Sequence, residues 1–78
     1  MKEFISLYDL EVGKCGIISH IKEDPLKNRI IEIGLIPGKE VRNFKKAPFG
    51  GPLYSYMESF CLAIGKEQAE LIMLKIKK

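Results

Sequence analysis

The chain has 78 residues, 46% of them hydrophobic and 29% charged, the balance of a folded protein rather than a disordered one. A domain of this size buries only about 60% of its unfolded surface, which leaves little core for a deep catalytic pocket. The net charge of +3 is mild, and its visible clusters, Lys45-Lys46 and Lys75, Lys77 and Lys78, read as solvated strand ends, so no nucleic-acid partner is expected. No apolar run approaches the ~18 residues of a membrane span, and Met1-Lys2-Glu3 runs into a short apolar patch without the pattern of a signal peptide. A cytoplasmic protein with reduced thiols is expected. Cys15 and Cys61 belong to no C-x-x-C unit, and a disulfide between them is left open.

In chain order, Leu7-Tyr8-Asp9-Leu10 and then Val12-Gly13 predict a turn that launches a strand from about Lys14 to Lys22, rich in Ile17, Ile18 and Ile21. Asp24-Pro25 reads as an N-cap with proline at the first helical position, which predicts a helix over roughly Pro25 to Ile33. Leu26, Ile30, Ile31 and Ile33 lie on or near one face of it, and Gly34 supplies a left-handed cap. Pro37-Gly38 predicts a turn with positive φ at the glycine. A strand follows from about Lys39 to Lys46. Ala47-Pro48-Phe49-Gly50-Gly51-Pro52 holds neither ladder nor helix and forms a prominent loop.

Leu53 to Met57 and Phe60 to Ile64 read as two strands around a tight turn at Glu58-Ser59. Gly65 interrupts, Lys66 to Leu71 has helical composition, and Ile72, Leu74 and Ile76 alternate as a closing strand. No repeat or linker divides the chain, so residues 1–78 form one domain. Five short strands favour a closed barrel, because closure removes edges that so small a sheet cannot cover. The expected class is mainly β: a small five-stranded barrel with one inserted helix and a short helical turn before the last strand. Alternation sends Leu53, Ser55 and Met57 to one face and Tyr54 and Tyr56 to the other. Matching with Leu62 and Ile64 makes the face of Leu53 and Met57 the inner one.

The run from Asn28 to Gly38 (NRIIEIGLIPG), the loop Ala47 to Pro52, and Leu62-Ala63-Ile64 with Ala69 and Ile72 resemble the FeoA family of ferrous iron transport proteins. The resemblance extends from about Leu7 through Gly13, Gly16 and Ile18 to Leu74. It implies an SH3-like barrel, a fold also found as the C-terminal domain of DtxR-type repressors. It further implies an accessory role in bacterial ferrous iron uptake, through contact with the membrane GTPase transporter FeoB. Asn43 stands where the family usually has an apolar strand residue, Ser59 replaces a turn glycine, and Gly65 replaces a frequent arginine.

Catalysis needs a base or nucleophile oriented by a second group, and the only histidine, His20, has no companion in the sequence, so no enzymatic activity is expected. Cys15, His20, Met57 and Cys61 are soft enough for a divalent transition metal ion. Their spacing fits no standard site, and alternation sends Cys15 and Met57 in different directions from His20. The metal-responsive reading is therefore the alternative, with Cys15, His20 and Cys61 as weak candidates and no cofactor expected to bind tightly. Self-association is left open. The stronger candidate surface is aromatic: Pro48, Phe49, Pro52, Tyr54 and Tyr56 as a shallow partner groove. For Phe49 two readings stand, an exposed anchor or a plug folded back into the barrel end. Gly34, Pro37, Gly38, Gly50 and Gly51 are assigned to turns and caps.

Overall fold

The computed structural model describes residues 4–76. Strands β1 (Ile5–Ser6), β2 (Cys15–Ile21), β3 (Glu40–Lys46), β4 (Leu53–Met57), β5 (Phe60–Ile64) and β6 (Ile72–Ile76) form one antiparallel sheet in the order β1-β6-β2-β3-β4-β5. Helix α1 (Lys27–Glu32) joins β2 to β3, and the single turn α2 (Lys66–Ala69) joins β5 to β6. Two points differ from the expectation. The sheet has six strands, because Ile5 and Ser6 pair with Leu74 and Met73 before the first turn. The ladder also does not close into a barrel: β1 and β5 are its two edges. The sheet still wraps a core, and the molecule measures 27 Å along each principal axis.

That core is built from the inward residues of every strand but the shortest: Ile18 and Ile21 of β2, Val41 of β3, Leu53 and Met57 of β4, Ile64 of β5, and Ile72 and Leu74 of β6. Ile18 and Ile21 are three apart, which alternation alone would set on opposite faces. A bulge between Ile18 and His20 restores the match, so that both isoleucines turn inward. A second bulge, between Asn43 and Lys45, sets Lys45 opposite the outward Tyr54.

Helix α1 is shorter than expected. Asp24 accepts the Leu26 N–H on its side chain (2.9 Å) and the Lys27 N–H on its carbonyl (2.9 Å), so it opens a turn ahead of the helix. The C-terminus follows the predicted chemistry. Gly34 has φ +96°, its N–H bonds to Ile31 (2.9 Å), and the Leu35 N–H reaches back to Ile30 (3.3 Å). These two bonds define the Schellman motif, and its characteristic apolar contact is present in the buried pair Ile30 and Leu35. The expected apolar face is narrower than four residues. Ile30 is buried and Leu26 packs at the rim, but Ile31 and Ile33 are exposed, because a six-residue helix lying on a sheet covers only one stripe. Pro37-Gly38 forms the central pair of a turn closed by Lys39 N–H to Ile36 C=O, with Gly38 at φ +95°.

Asn43 is the polar centre of the fold. It is fully buried, yet its Nδ2 donates to the Leu7 and Leu10 carbonyls (2.9 and 2.8 Å), and its Oδ1 accepts from Ser55 Oγ (2.6 Å). Its main chain accepts from Gly13 (2.7 Å) and donates to Lys14 (3.3 Å). One residue thus ties the 7–14 segment, β3 and β4 together. No buried side-chain polar atom among the described residues lacks a partner. Replacing Asn43 by leucine, similar in shape, would strand two carbonyls and a hydroxyl in the core, at about 1 kcal/mol or more for each. We expect Asn43→Leu to lose about 2–4 kcal/mol in urea unfolding. Adding Ser55→Ala to it should restore part of that loss; a cost below about 0.5 kcal/mol would deny the clamp its role.

Candidate functional site

The β3–β4 hairpin turns through Pro48-Phe49-Gly50-Gly51, closed by Gly51 N–H to Pro48 C=O (3.2 Å), with Ala47 N–H to Pro52 C=O beyond it (3.0 Å). Phe49 and Gly50 both have positive φ, +60° and +72°, the pattern of a type I′ turn, whose first central position ordinarily takes Asn, Asp or Gly. Gly51 is required for a different reason. A Cβ there would lie 2.8 Å from that of Ala47. Phe49 is wholly exposed, at 102% relative accessibility, so it does not plug the barrel end. A large apolar ring therefore stands in solvent on a backbone conformation that costs non-glycine residues energy.

Behind this tip, the outer face of the hairpin carries a second aromatic group. Tyr56 is 46% exposed and stacks on Phe44, with ring centroids 4.5 Å apart and planes at 27°. Tyr54 lies on the other side of Phe44 at 6.3 Å, with the Lys45 ammonium 5.8 Å from its centroid. The tyrosines face outward as expected, while Leu53, Ser55 and Met57 are buried. Their nearest aromatic neighbour is Phe44, not the Pro48-Phe49 loop. Sequence reasoning missed Phe44. With Asn43 recognised as an inward residue, alternation would have placed Arg42 and Phe44 on the tyrosine face.

The ladder registers Cys15 opposite Arg42, Arg42 opposite Tyr56, and Tyr56 opposite Cys61, one row across four strands. Arg42 Nε donates to Cys15 Sγ (3.1 Å). This bond, followed by the charge attraction of Cys15 and Glu40, raises the exposed guanidinium's pKa above its ordinary value. Arg42 is a fixed positive charge at the edge of the aromatic face. Beside it, Gly38 to Arg42, Tyr56 and Glu58 line a shallow open depression. Lys39 and Glu58 form an ion pair across its mouth.

The soft residues do not converge. Cys15 and His20 are five residues apart on one strand, roughly 16 Å, and Cys61 lies three ladder steps from Cys15, roughly 14 Å. That separation also rules out a disulfide within the chain, and both cysteines are free. Met57 points into the core, whereas the bulge at Ser19 leaves His20 exposed, against the Phe4 ring and Ser19 Oγ. Among the described residues no three His, Cys, Asp or Glu side chains are grouped to hold a metal ion.

The six-stranded antiparallel sheet with its exposed aromatic hairpin defines the class: a small SH3-like protein, mainly β. The family model described as FeoA domain matches residues 5–76, and the chain belongs to that family, which is associated with ferrous iron transport. The solution structure of a FeoA-like protein from Clostridium acetobutylicum is similar at 23% identity and TM-score 0.88, covering 100% of this chain and 92% of that one. A zinc complex of Stenotrophomonas maltophilia FeoA, a prokaryotic SH3 domain protein, is similar at 22% identity and TM-score 0.79, with coverage of 91% and 89%. A manganese-dependent transcriptional repressor is similar at 19% identity and TM-score 0.87, across 99% of this chain but 44% of that one. Among curated proteins none matches this chain. No helix among the described residues is long and apolar enough to cross a membrane.

Because the Phe49 ring touches no core residue, its replacement tests the turn assignment directly. Phe49→Asn restores a preferred type I′ pair with Gly50. We expect it to raise unfolding stability by about 0.5–1 kcal/mol in urea titration, whereas a ring that plugged the core would cost about 3 kcal/mol or more on removal.

Proposed function

We propose that this chain is an accessory protein of bacterial ferrous iron uptake that acts in the cytoplasm by protein–protein contact with the FeoB membrane GTPase transporter. Family membership supplies the pathway. The observation that carries the mode of action is Phe49, an exposed aromatic held at φ +60° where Asn or Gly would be the cheaper residue for folding. A side chain retained against local stability is best explained by what it meets outside the fold. Tyr56, Phe44 and Tyr54 extend the same hairpin into a rigid aromatic face, and Arg42 adds a charge suited to a carboxylate. Aromatic rings and arginine are the residue types that dominate interface energies.

The contact needs no chemistry within this chain. Among the described residues the surface depressions are shallow and open and the titratable groups form no nucleophile–base pair, which supports a binding module over an enzyme. Iron enters this reading as the transporter's cargo. The scattered positions of Cys15, His20 and Cys61 do not suit a resident metal ion.

The test is a titration of isotope-labelled protein with the transporter's cytoplasmic domain, followed by amide shifts. Phe49, Tyr54, Tyr56 and their neighbours should move together. Tyr54→Ala with Tyr56→Ala should weaken binding at least about tenfold, and Phe49→Asn several-fold, with each variant still folded. Ferrous iron alone should leave the amides of Cys15, His20 and Cys61 in place. Unchanged affinity in both variants would remove the hairpin from the interface, and a shift on α1 instead would move the contact there.

A further inference from the structure

The two edges of the sheet are unequal. β1 has two residues, whereas β5 has five, Phe60-Cys61-Leu62-Ala63-Ile64, with no charge and no proline. Natural edge strands are ordinarily blunted by shortness, charge, proline or a bulge. β1 meets the first of these conditions, and β5 meets none. Its register against β4 is unbroken from Met57↔Phe60 to Leu53↔Ile64.

The hairpin geometry decides which backbone groups face outward. Glu58-Ser59 is a two-residue loop, so Met57 and Phe60 exchange both ladder bonds, as do Ser55 with Leu62 and Leu53 with Ile64. Cys61 and Ala63 therefore direct their N–H and C=O groups away from β4. No hydrogen bond from elsewhere among the described residues reaches these groups. The side chains along the edge are accessible as well: Phe60 is 62% exposed, and Cys61 and Ala63 are exposed.

We propose that this edge pairs with the β5 edge of a second copy of the chain, antiparallel about a two-fold axis through Leu62. In that register Cys61 and Ala63 of one copy face Ala63 and Cys61 of the other, so all four outward backbone groups of each copy find partners. Charge selects the same register. The nearest charges flanking β5 are Glu58 in the turn before it and Lys66 at the start of α2 after it. The axis at Leu62 sets Glu58 of each copy level with Lys66 of the other, where both exposed side chains would exchange their present neighbours, Lys39 and Tyr8, for each other. A shift of the axis by one residue opposes Glu58 to Ile64 or to Gln68 instead, neither of them charged, and parallel pairing would set Glu58 against Glu58. The two-fold arrangement joins two sheets edge to edge and covers Phe60. It leaves Phe49, Tyr54 and Tyr56 outside the joint, so it is independent of the transporter contact proposed above.

Sedimentation velocity under reducing conditions, over protein concentrations from about 10 μM to about 1 mM, tests this proposal. A monomer–dimer equilibrium is expected in that range. Amide exchange at Cys61 and Ala63 should slow as the dimer forms. Ala63→Lys, on an exposed side chain, should raise the dissociation constant at least about tenfold by charging the edge. Glu58→Lys and Lys66→Glu should each weaken the dimer several-fold, and the two together should restore it to within about threefold, a rescue that only their mutual pairing provides. Tyr54→Ala with Tyr56→Ala should leave it intact. A monomer at every concentration would overturn the proposal. So would a dimer indifferent to Ala63→Lys, or single charge reversals that the double variant fails to rescue.

Discussion

The fold depends on a polar residue placed where a strand would ordinarily carry an apolar one. Asn43 sits at 0% exposure and spends both side-chain donors on the Leu7 and Leu10 carbonyls and its acceptor on Ser55. The 7–14 segment enters by only two residues of strand, and β1 alone could not hold it. Asn43 closes the turn against the sheet, so that Leu7 and Leu10 reach the core. A buried amide is costly when half satisfied and specific when fully satisfied. Here it converts a loose N-terminal segment into a wall of the core.

With that wall in place, the β3–β4 hairpin is free to serve as a display. Its inward residues, Val41, Asn43, Leu53, Ser55 and Met57, are committed to the interior. Its outward residues, Arg42, Phe44, Tyr54 and Tyr56, are left to solvent and to each other, and Phe49 marks its tip. A small protein cannot build a deep pocket, but a twisted two-stranded ribbon can present rings at fixed spacing. The positive φ at Phe49 and the positive φ at Glu58 lie at the two ends of this ribbon. Both are turn positions where glycine would be easier, and the Glu58 side chain pairs with Lys39.

The soft residues are dispersed by the sheet that carries them. Cys15, His20 and Cys61 are separated by the rise of one strand and the width of the ladder, dimensions that side-chain rotation cannot bridge. Cys15 is instead engaged by Arg42. Of the candidate ligands Cys15, His20, Met57 and Cys61, the register sets only the two thiols in one row, with Arg42 and Tyr56 between them.

Much of this was legible in the linear chain. Gly34 and Gly38, with Pro37 between them, announce a helix end and a turn, because glycine takes positive φ at no steric cost and proline presets the turn. The alternation of Leu53 to Met57 and Phe60 to Ile64 states both strands and their facing. The family resemblance, read from about Leu7 to Leu74, rests on the same punctuation, and the family model matches residues 5–76. Four matters needed the tertiary structure. The two bulges shift which residues share a face, and a bulge leaves no local sequence mark. Asn43 looks misplaced until the carbonyls of Leu7 and Leu10, more than 30 positions away in sequence, are seen above it. The row Cys15, Arg42, Tyr56, Cys61 exists only through register. Phe49 reads equally as plug or anchor in the linear chain, because both are compatible with a Pro-Phe-Gly-Gly loop. Local dihedral preference is written residue by residue, whereas long-range hydrogen bonding and strand register depend on partners that the linear chain does not name.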